Sequence, residues 1–203
     1  MAAFSNKPTI SIVITTLNSE SVLENCLVSI NNQEYSNYEI LICDGGSTDK
    51  TTIIAKKYNC KILNNPLKTA EAGKAIGLKY ATGKYIALID SDNILPNNNW
   101  LSEMIFPLEL DQTLIGSEPW KFTYRKKAGF IERYSALMGA NDPYAYIIGI
   151  SDRVNLINNQ WTSLKLLQTK FKSYIKVKLL PNQTIPTIGA NGTVFCTTFL
   201  KNN

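Results

Sequence analysis

The stretch "KYIALIDSDNILP", residues 84–96, runs apolar through Tyr85, Ile86, Ala87, Leu88 and Ile89, then sets Asp90 and Asp92 around Ser91. No lysine or arginine occurs in the ten residues that follow Asp90. An apolar run of this kind, bounded by turn-forming residues, predicts a strand (84–90) buried on both faces. Side chains two apart on a strand share a side, which would aim both carboxylates at one point beyond the strand end. Two hard oxygen ligands with positions left open suit Mn²⁺ or Mg²⁺ shared with a diphosphate. The plainer alternative is a cap, with Asp92 or Asn93 starting the turn before Pro96.

Upstream, strand and helix signals alternate. "TISIVITTL" (9–17) is a β-branched run, read as a strand buried on both sides. Val22, Leu23, Cys26, Leu27 and Ile30 then recur at helical spacing, with Ser19 and Glu20 or Ser21 and Glu24 as candidate caps. "YEILICDGGS" (38–47) reads as a second strand, followed by a helix capped by Thr48 or Asp49. "CKILNN" (60–65) predicts a third strand, and "TAEAGKAIGLKYATG" (69–83) a helix that breaks at Gly83. Such alternation with short loops predicts a parallel sheet with right-handed crossovers.

After residue 96 the pattern loosens. A helix begins in "PNNNWLSEMIFPLEL", where Pro107 should end or kink it. A strand is expected within 113–124, a helix over 129–141, and short strands near 184–188 and 193–197. With no repeat or linker, 1–203 reads as one domain with halves 1–96 and 97–203. The abrupt end at "FLKNN" fits a natural chain that continues past Asn203.

Composition narrows the function. Hydrophobic residues make up 44% and charged ones 18%, enough for a real core. The net charge of +5 is too mild to imply nucleic acid, and no nucleic-acid partner is expected. Histidine is absent, which excludes histidine-based triads, zinc sites and a histidine general base. Cys26, Cys43, Cys60 and Cys196 have no metal-type spacing and read as reduced thiols of an intracellular protein. No apolar run reaches the ~20 residues of a membrane span, and "MAAFSNKPT" does not resemble a signal peptide.

In an open α/β sheet, ligands bind at the carboxyl ends of the strands. Three of the first four strands end there in polar signatures: "TTLN", "CDGGSTD" and "DSDN". Neither a Walker-type loop nor G-x-G-x-x-G is present. Asp44 stands before Gly45 and Gly46 and has two readings, a carboxylate that accepts from a base or ribose, or an Asx-turn leading into a capped helix.

"PTISIVITTLNSESVLENCLVSI", "YEILICDGGSTDKT" and "AEAGKAIGLKYATGKYIALIDSDN" together resemble the successive motifs of family 2 glycosyltransferases, over residues 8–96. "PTIGANGTVF" (186–195) resembles the glycine-containing acceptor-side loop of the same family. The resemblance implies a GT-A fold, with a mainly parallel, Rossmann-like central sheet flanked by helices and a mixed acceptor-side half. It implies transfer of a sugar from a UDP- or GDP-linked donor, with inversion, a divalent cation, and a role in cell-envelope or glycan assembly. Carried over by position, Thr15, Thr16, Leu17, Asn18 and Glu20 would line the nucleoside pocket, and Asp44 would bind the base and ribose. Lys74 would lie near the base and phosphates, or else be a plain surface charge on its helix. Asp90 and Ser91 would meet the ribose or sugar, and Asp92 the metal, shared with Asp90. Gly189, Ala190, Asn191 and Gly192 would face the acceptor.

Two departures stand out. Asn93 replaces a third acid that many relatives carry after the pair. The acid pair that serves as base in members acting on hydroxyls is missing, because no Asp or Glu follows Asp152. The base then lies beyond Asn203, or is Asp142 or Asp152, or is not needed because the acceptor is an already anionic polyprenyl phosphate. That last case would resemble the polyprenyl-phosphate sugar transferases. "KFTYRKKAGF" (121–130) and "KLLQTKFKSYIKVK" (165–178) interleave basic and aromatic residues, as peripheral membrane segments do, although solvated amphipathic surface explains them as well. The corresponding location is the cytoplasm, or the cytoplasmic face of a membrane. Trp120 and Trp161 are candidates for sugar stacking or for simple packing. A degenerate sugar-nucleotide-binding scaffold and a nucleotidyltransferase are the alternatives, and the N-terminal loop lacks the glycines and basic residues the latter usually needs.

Overall fold

The β-branched run Ile10–Thr16 forms β1, at the centre of a six-stranded sheet. The computed structural model describes residues 9–189 and 191–202. Around β1 the chain adds α1 (Leu23–Asn31), β2 (Tyr38–Asp44), α2 (Thr51–Lys57), β3 (Lys61–Asn64), α3 (Ala70–Tyr80) and β4 (Tyr85–Leu88). Then follow α4 (Trp100–Leu110), β5 (Gly116–Ser117), α5 (Phe130–Met138), α6 (Pro143–Ile147), β6 (Leu167–Lys170), β7 (Ile175–Lys178), β8 (Thr193–Cys196) and α7 (Thr197–Asn202). The large sheet has the order β3-β2-β1-β4-β8-β5, while β6 and β7 form a separate two-stranded sheet.

The first four strands pair in parallel, as strand–helix alternation predicts. β8 joins antiparallel to both β4 and β5, so one edge of the sheet is mixed. Alternate residues of β1 serve two cores. Ile10, Ile12 and Ile14 pack with Leu23, Leu27 and Ile30 of α1 and with Leu101 and Leu108 of α4. Val13 turns to the opposite face, with Leu41, Cys43, Ile86 and the α3 side. The sheet is therefore covered on both faces, which explains why β1, β2 and β4 read as continuous apolar runs.

Two compact units result: Met1–Glu118 with Ala190–Asn203, and Pro119–Gly189. The boundary falls after Glu118 rather than after Pro96, because α4 and β5 contribute to the same core and sheet as β1–β4. β8 returns to that sheet as well. The second unit holds α5, α6 and the β6–β7 hairpin. Its buried apolar side chains are small ones, Ala136, Ala140, Ala145, Val154 and Pro186. Gly139, at φ 71°, ends α5 in the left-handed conformation. A Cβ there would stand 2.5 Å from the Arg153 carbonyl oxygen.

Several expected elements change. The strand expected over 38–47 stops at Asp44, where the glycine pair turns the chain. The helix over 69–83 ends at Tyr80, and the strand over 84–90 keeps ladder pairing only through Leu88. α4 continues through Pro107 to Leu110. Proline removes one hydrogen bond, and the carbonyl it leaves belongs to exposed Glu103, while Leu108 beyond it is buried and holds the helix on the core. No strand forms at 184–188, where Thr187 donates instead to the Ile150 carbonyl, at 2.9 Å. The expected caps are also absent from α1, whose N-cap position is Val22.

α3 sits unusually close to β1. A Cβ on Gly77 would lie 2.2 Å from Val13 Cγ1, and one on Gly73 would lie 2.5 Å from Thr15 Cγ2. Gly77→Ala is therefore expected to destabilise the protein by about 1–2 kcal/mol, the overpacking cost exceeding the better helix propensity of alanine. Denaturant unfolding checks this. A stabilised variant would mean that α3 can move off β1 freely.

Candidate functional site

Four loops converge on the carboxyl rim of the parallel strands, and two of them are zipped together. The loop after β1 and the loop after β2 exchange reciprocal hydrogen bonds. Asn18 N–H donates to Ser47 Oγ at 2.9 Å, and Thr48 N–H donates back to Asn18 Oδ1 at 2.9 Å. Glu20 N–H donates to Asp49 Oδ2 at 3.0 Å, and Lys50 N–H donates to Glu20 Oε2 at 2.8 Å. Asn18 adopts φ 51°, a left-handed conformation that asparagine tolerates better than most residues. The Glu20 carboxylate thus binds the neighbouring loop's backbone, and Leu17 is exposed beside it. Thr15 is half-buried at the end of β1.

Asp44 anchors this platform. It is 6% exposed, and four donors meet its two oxygens. Thr16 Oγ1 (2.8 Å) and Ser47 Oγ (2.5 Å) donate to Oδ1, while the N–H groups of Gly46 (3.0 Å) and Ser47 (2.8 Å) donate to Oδ2. Burial works against the ionised carboxylate, but the donors from Ser47, Thr16 and Gly46 outweigh it and hold the pKa below the usual aspartate value. The Asx-turn geometry is fully formed. A carboxylate with four acceptor positions already used meets a new ligand only if one of these donors, such as the Ser47 hydroxyl, swings aside.

The acidic pair lies on a turn after β4, not on the strand. Asn93 N–H donates to the Asp90 carbonyl at 3.0 Å, and Asp92 is exposed at the apex. Strand alternation therefore does not set the geometry of the pair; the turn does, and it leaves Asp92 near enough for its charge to act on Asp90. Asp90 is half-buried, and Lys74 of α3 places its Nζ 3.5 Å from Asp90 Oδ1. Burial raises the Asp90 pKa; the Lys74 ammonium lowers it and the Asp92 carboxylate raises it further. Lys74 is thus ion-paired at the rim rather than pointing away as a free surface charge. Ser91 donates to Ser19 Oγ at 3.3 Å, tying the acidic turn to the β1 loop.

Asn191 reaches the same turn from a distance of about a hundred residues in sequence. Its side-chain oxygen accepts from Asp90 N–H at 3.3 Å and from the Asn93 side-chain amide. Gly192, at φ 72°, donates its N–H to the Leu88 carbonyl at 2.7 Å. Asn93 is therefore a brace between the acidic turn and the glycine-containing loop. Gly189 closes the second unit, and Ala190 lies outside the described residues. Composition and spacing gave no signal for the Asn93–Asn191 pair or for the Ser47–Asn18 link.

The second unit holds both candidate bases. Asp142 caps α6, accepting from Tyr144 N–H at 2.9 Å. Asp152 is buried, with Oδ2 3.7 Å from the Arg153 guanidinium. Burial pushes its pKa up, against the pull of Arg153. Its carbonyl accepts from Trp161 Nε1 at 3.2 Å, and Trp161 packs edge-on to Trp120 with centroids 5.4 Å apart. Both tryptophans are thus engaged in packing.

Among the described residues, no group of three or more His, Cys, Asp or Glu side chains gathers to hold a metal. The donor set at the rim is instead two carboxylates, one of them already facing an ammonium. Such a set fits a hard cation that takes most of its ligands from phosphate and water, as Mg²⁺ and Mn²⁺ do beside nucleotides.

A model of the family described as glycosyl transferase family 2 matches residues 11–195. The chain belongs to glycosyl transferase family 2. An uncharacterized glycosyltransferase of Haemophilus influenzae is 36% identical over 110 residues, covering 51% of this chain and 44% of that one. The Escherichia coli protein WfaP, named a UDP-Glc:alpha-D-GlcNAc-diphosphoundecaprenol beta-1,3-glucosyltransferase, is 40% identical over 88 residues, or 41% of this chain and 35% of its own. The chain thus spans less than half the length of these family relatives. Among solved structures, S. aureus TarS 1-349 in complex with UDP superposes with a TM-score of 0.61 at 20% identity, over 96% of this chain and 48% of that one. The family 2 fold is therefore GT-A, with the mostly parallel sheet described above. Among the described residues, no helix is long and apolar enough to cross a membrane.

Proposed function

We propose that this family 2 chain transfers a sugar from a nucleoside-diphosphate donor bound at the strand rim, with inversion at the anomeric carbon. The observation that carries this reading is the meeting of Asp90, Lys74, Asn191 and the exposed Asp92 on one turn at the end of β4. The platform of Thr15, Thr16, Leu17 and Asn18, stiffened by Asp44 and Ser47, would receive the nucleoside. Lys74 would exchange part of its attraction for Asp90 for a donor phosphate, and Asp90 would then be free for a ribose or sugar hydroxyl. Asp92 and Asp90 would hold Mn²⁺ or Mg²⁺, which when bound neutralises charge developing on the departing diphosphate. PcManGT of Pyrobaculum calidifontis, similar in fold at a TM-score of 0.51 and 21% identity, was solved with GDP-Man and Mn²⁺, which supports both donor class and metal.

Asn191 would fix the acidic turn against the loop that faces the acceptor. WfaP, by its name, adds glucose to a saccharide carried on a polyprenyl diphosphate, which favours a lipid-linked saccharide among the acceptors considered. Its 1,3-linkage is to a hydroxyl, and a hydroxyl needs a base. Asp142, which caps α6, and Asp152, buried beside Arg153, are the candidates within this chain. A polyprenyl phosphate would remove that requirement.

Incubation with labelled UDP- and GDP-sugars and Mn²⁺, with lipid-linked saccharide or lipid phosphate as acceptor, tests the reading. Product of inverted anomeric configuration supports it. Donor binding without transfer or hydrolysis would favour the degenerate scaffold, and release of pyrophosphate from a nucleoside triphosphate would favour a nucleotidyltransferase.

A further inference from the structure

The charge of the chain is divided very unevenly between its two units. Pro119–Gly189 carries eleven Lys and Arg against three Asp and Glu, whereas the rest carries ten against thirteen. The most concentrated part is residues 165–178, with five lysines and no acid. These residues form the β6–β7 hairpin, in register Leu167↔Lys178, Thr169↔Lys176 and Lys170↔Ile175. Phe171 N–H donates to the Tyr174 carbonyl at 2.8 Å and closes a two-residue turn, Lys172–Ser173. Across that turn the rings of Phe171 and Tyr174 stack, with centroids 4.5 Å apart and planes 14° from parallel.

The hairpin has the makeup of an interfacial anchor. Strand alternation puts Leu167, Phe171, Tyr174, Lys176 and Lys178 on one face, with Lys172 at the tip. Every residue of β6 is exposed, and Phe171 is 47% exposed. An isolated two-stranded hairpin is marginal in water, and this one is tied at its base through Gln183, which donates to the Lys165 carbonyl at 3.0 Å. Stacked aromatics hold the tip rigid, so little entropy is lost when the tip enters another phase. A second copy of the same unit is disfavoured as the covering partner, because both copies carry a large positive excess.

We propose that the β6–β7 hairpin docks on an anionic lipid surface, with Phe171 and Tyr174 entering the headgroup region and the flanking lysines facing lipid phosphates. This surface lies within one unit and does not depend on sugar transfer; it would hold the chain at the membrane where a lipid-carried substrate resides.

Co-sedimentation of the full chain with vesicles tests it, using phosphatidylcholine alone and phosphatidylcholine with phosphatidylglycerol, at low and high salt, without any nucleotide. Binding to the anionic vesicles is expected, weakening with salt. Replacing Lys172, Lys176 and Lys178 together by Gln should lower it on the order of 100-fold, and Phe171→Ala by roughly tenfold. The same loss of charge at the α2 N-cap, on α2 and on α3, as Lys50→Gln, Lys56→Gln and Lys79→Gln together, should leave it nearly unchanged. Equal binding by both triple variants, equal binding to neutral vesicles, or binding to RNA with none to vesicles would overturn the proposal. Unchanged circular dichroism of the Phe171→Ala variant shows that any loss is not unfolding.

Discussion

Asp92→Asn is expected to lower sugar transfer about 10²–10³-fold while barely changing the melting temperature. The side chain is exposed at the apex of the turn after β4, so its removal disturbs little packing. What it removes is one of two carboxylates available to a cation, and the remaining one, Asp90, faces Lys74 at 3.5 Å. With a single, partly neutralised carboxylate left to hold it, a divalent cation would bind weakly and would supply less stabilisation to a departing diphosphate. Steady-state kinetics across a Mn²⁺ titration would show the loss. The metal concentration for half-maximal rate should rise together with the fall in kcat. A variant that keeps its metal dependence would place the cation elsewhere.

Asp44→Ala should be the most damaging single change to the stability of the rim. It strips acceptors from two hydroxyls and two N–H groups at once, in a residue that is 6% exposed. The expected cost is about 3 kcal/mol, part of the loss being recovered where water reaches the turn. Asp44→Asn should cost less, about 1 kcal/mol, because its amide oxygen still accepts from the Gly46 and Ser47 N–H groups and hydroxyls can turn to accept. The pH dependence separates charge from shape. The folded-state pKa of Asp44 is depressed, so the carboxylate's contribution is present above the unfolded value of ~3.9 and is lost as pH falls through the lower folded value. The stability gap between wild type and Asp44→Asn should therefore narrow below about pH 4. Urea melts from pH 7 down to pH 3 check it, and a gap that widens on acidification would contradict the assignment.

The parallel core was legible because strands buried on both faces must read as continuous apolar runs, and β1, β2 and β4 do. The rim was legible because each of these strands ends in residues that a core would reject. Strand ends were less so: ladder pairing and turn formation compete over Ile89–Asp92 and Asp44–Ser47, and sequence periodicity does not weigh one against the other. Of the two outcomes expected at Pro107, an end of the helix there does not occur, because the boundary depends on whether the orphaned carbonyl can reach water, which is a tertiary fact. Asn191 was singled out through a family resemblance, but its partner Asn93 was seen only as a departure from a pattern. Amide pairs about a hundred residues apart leave no trace in spacing. The expectation for Asp44 divided between a ligand contact and a turn, and the four donors around it show the turn in place.

The most direct test of the central claim is calorimetric titration of the chain with UDP and GDP, each with and without Mn²⁺, on wild type and on Asp92→Ala. The rim described here predicts that one nucleotide binds wild type, that Mn²⁺ tightens it at least tenfold, and that Asp92→Ala removes the Mn²⁺ effect while leaving metal-free binding intact. Binding of neither nucleotide, or a Mn²⁺ effect that survives in Asp92→Ala, would contradict it.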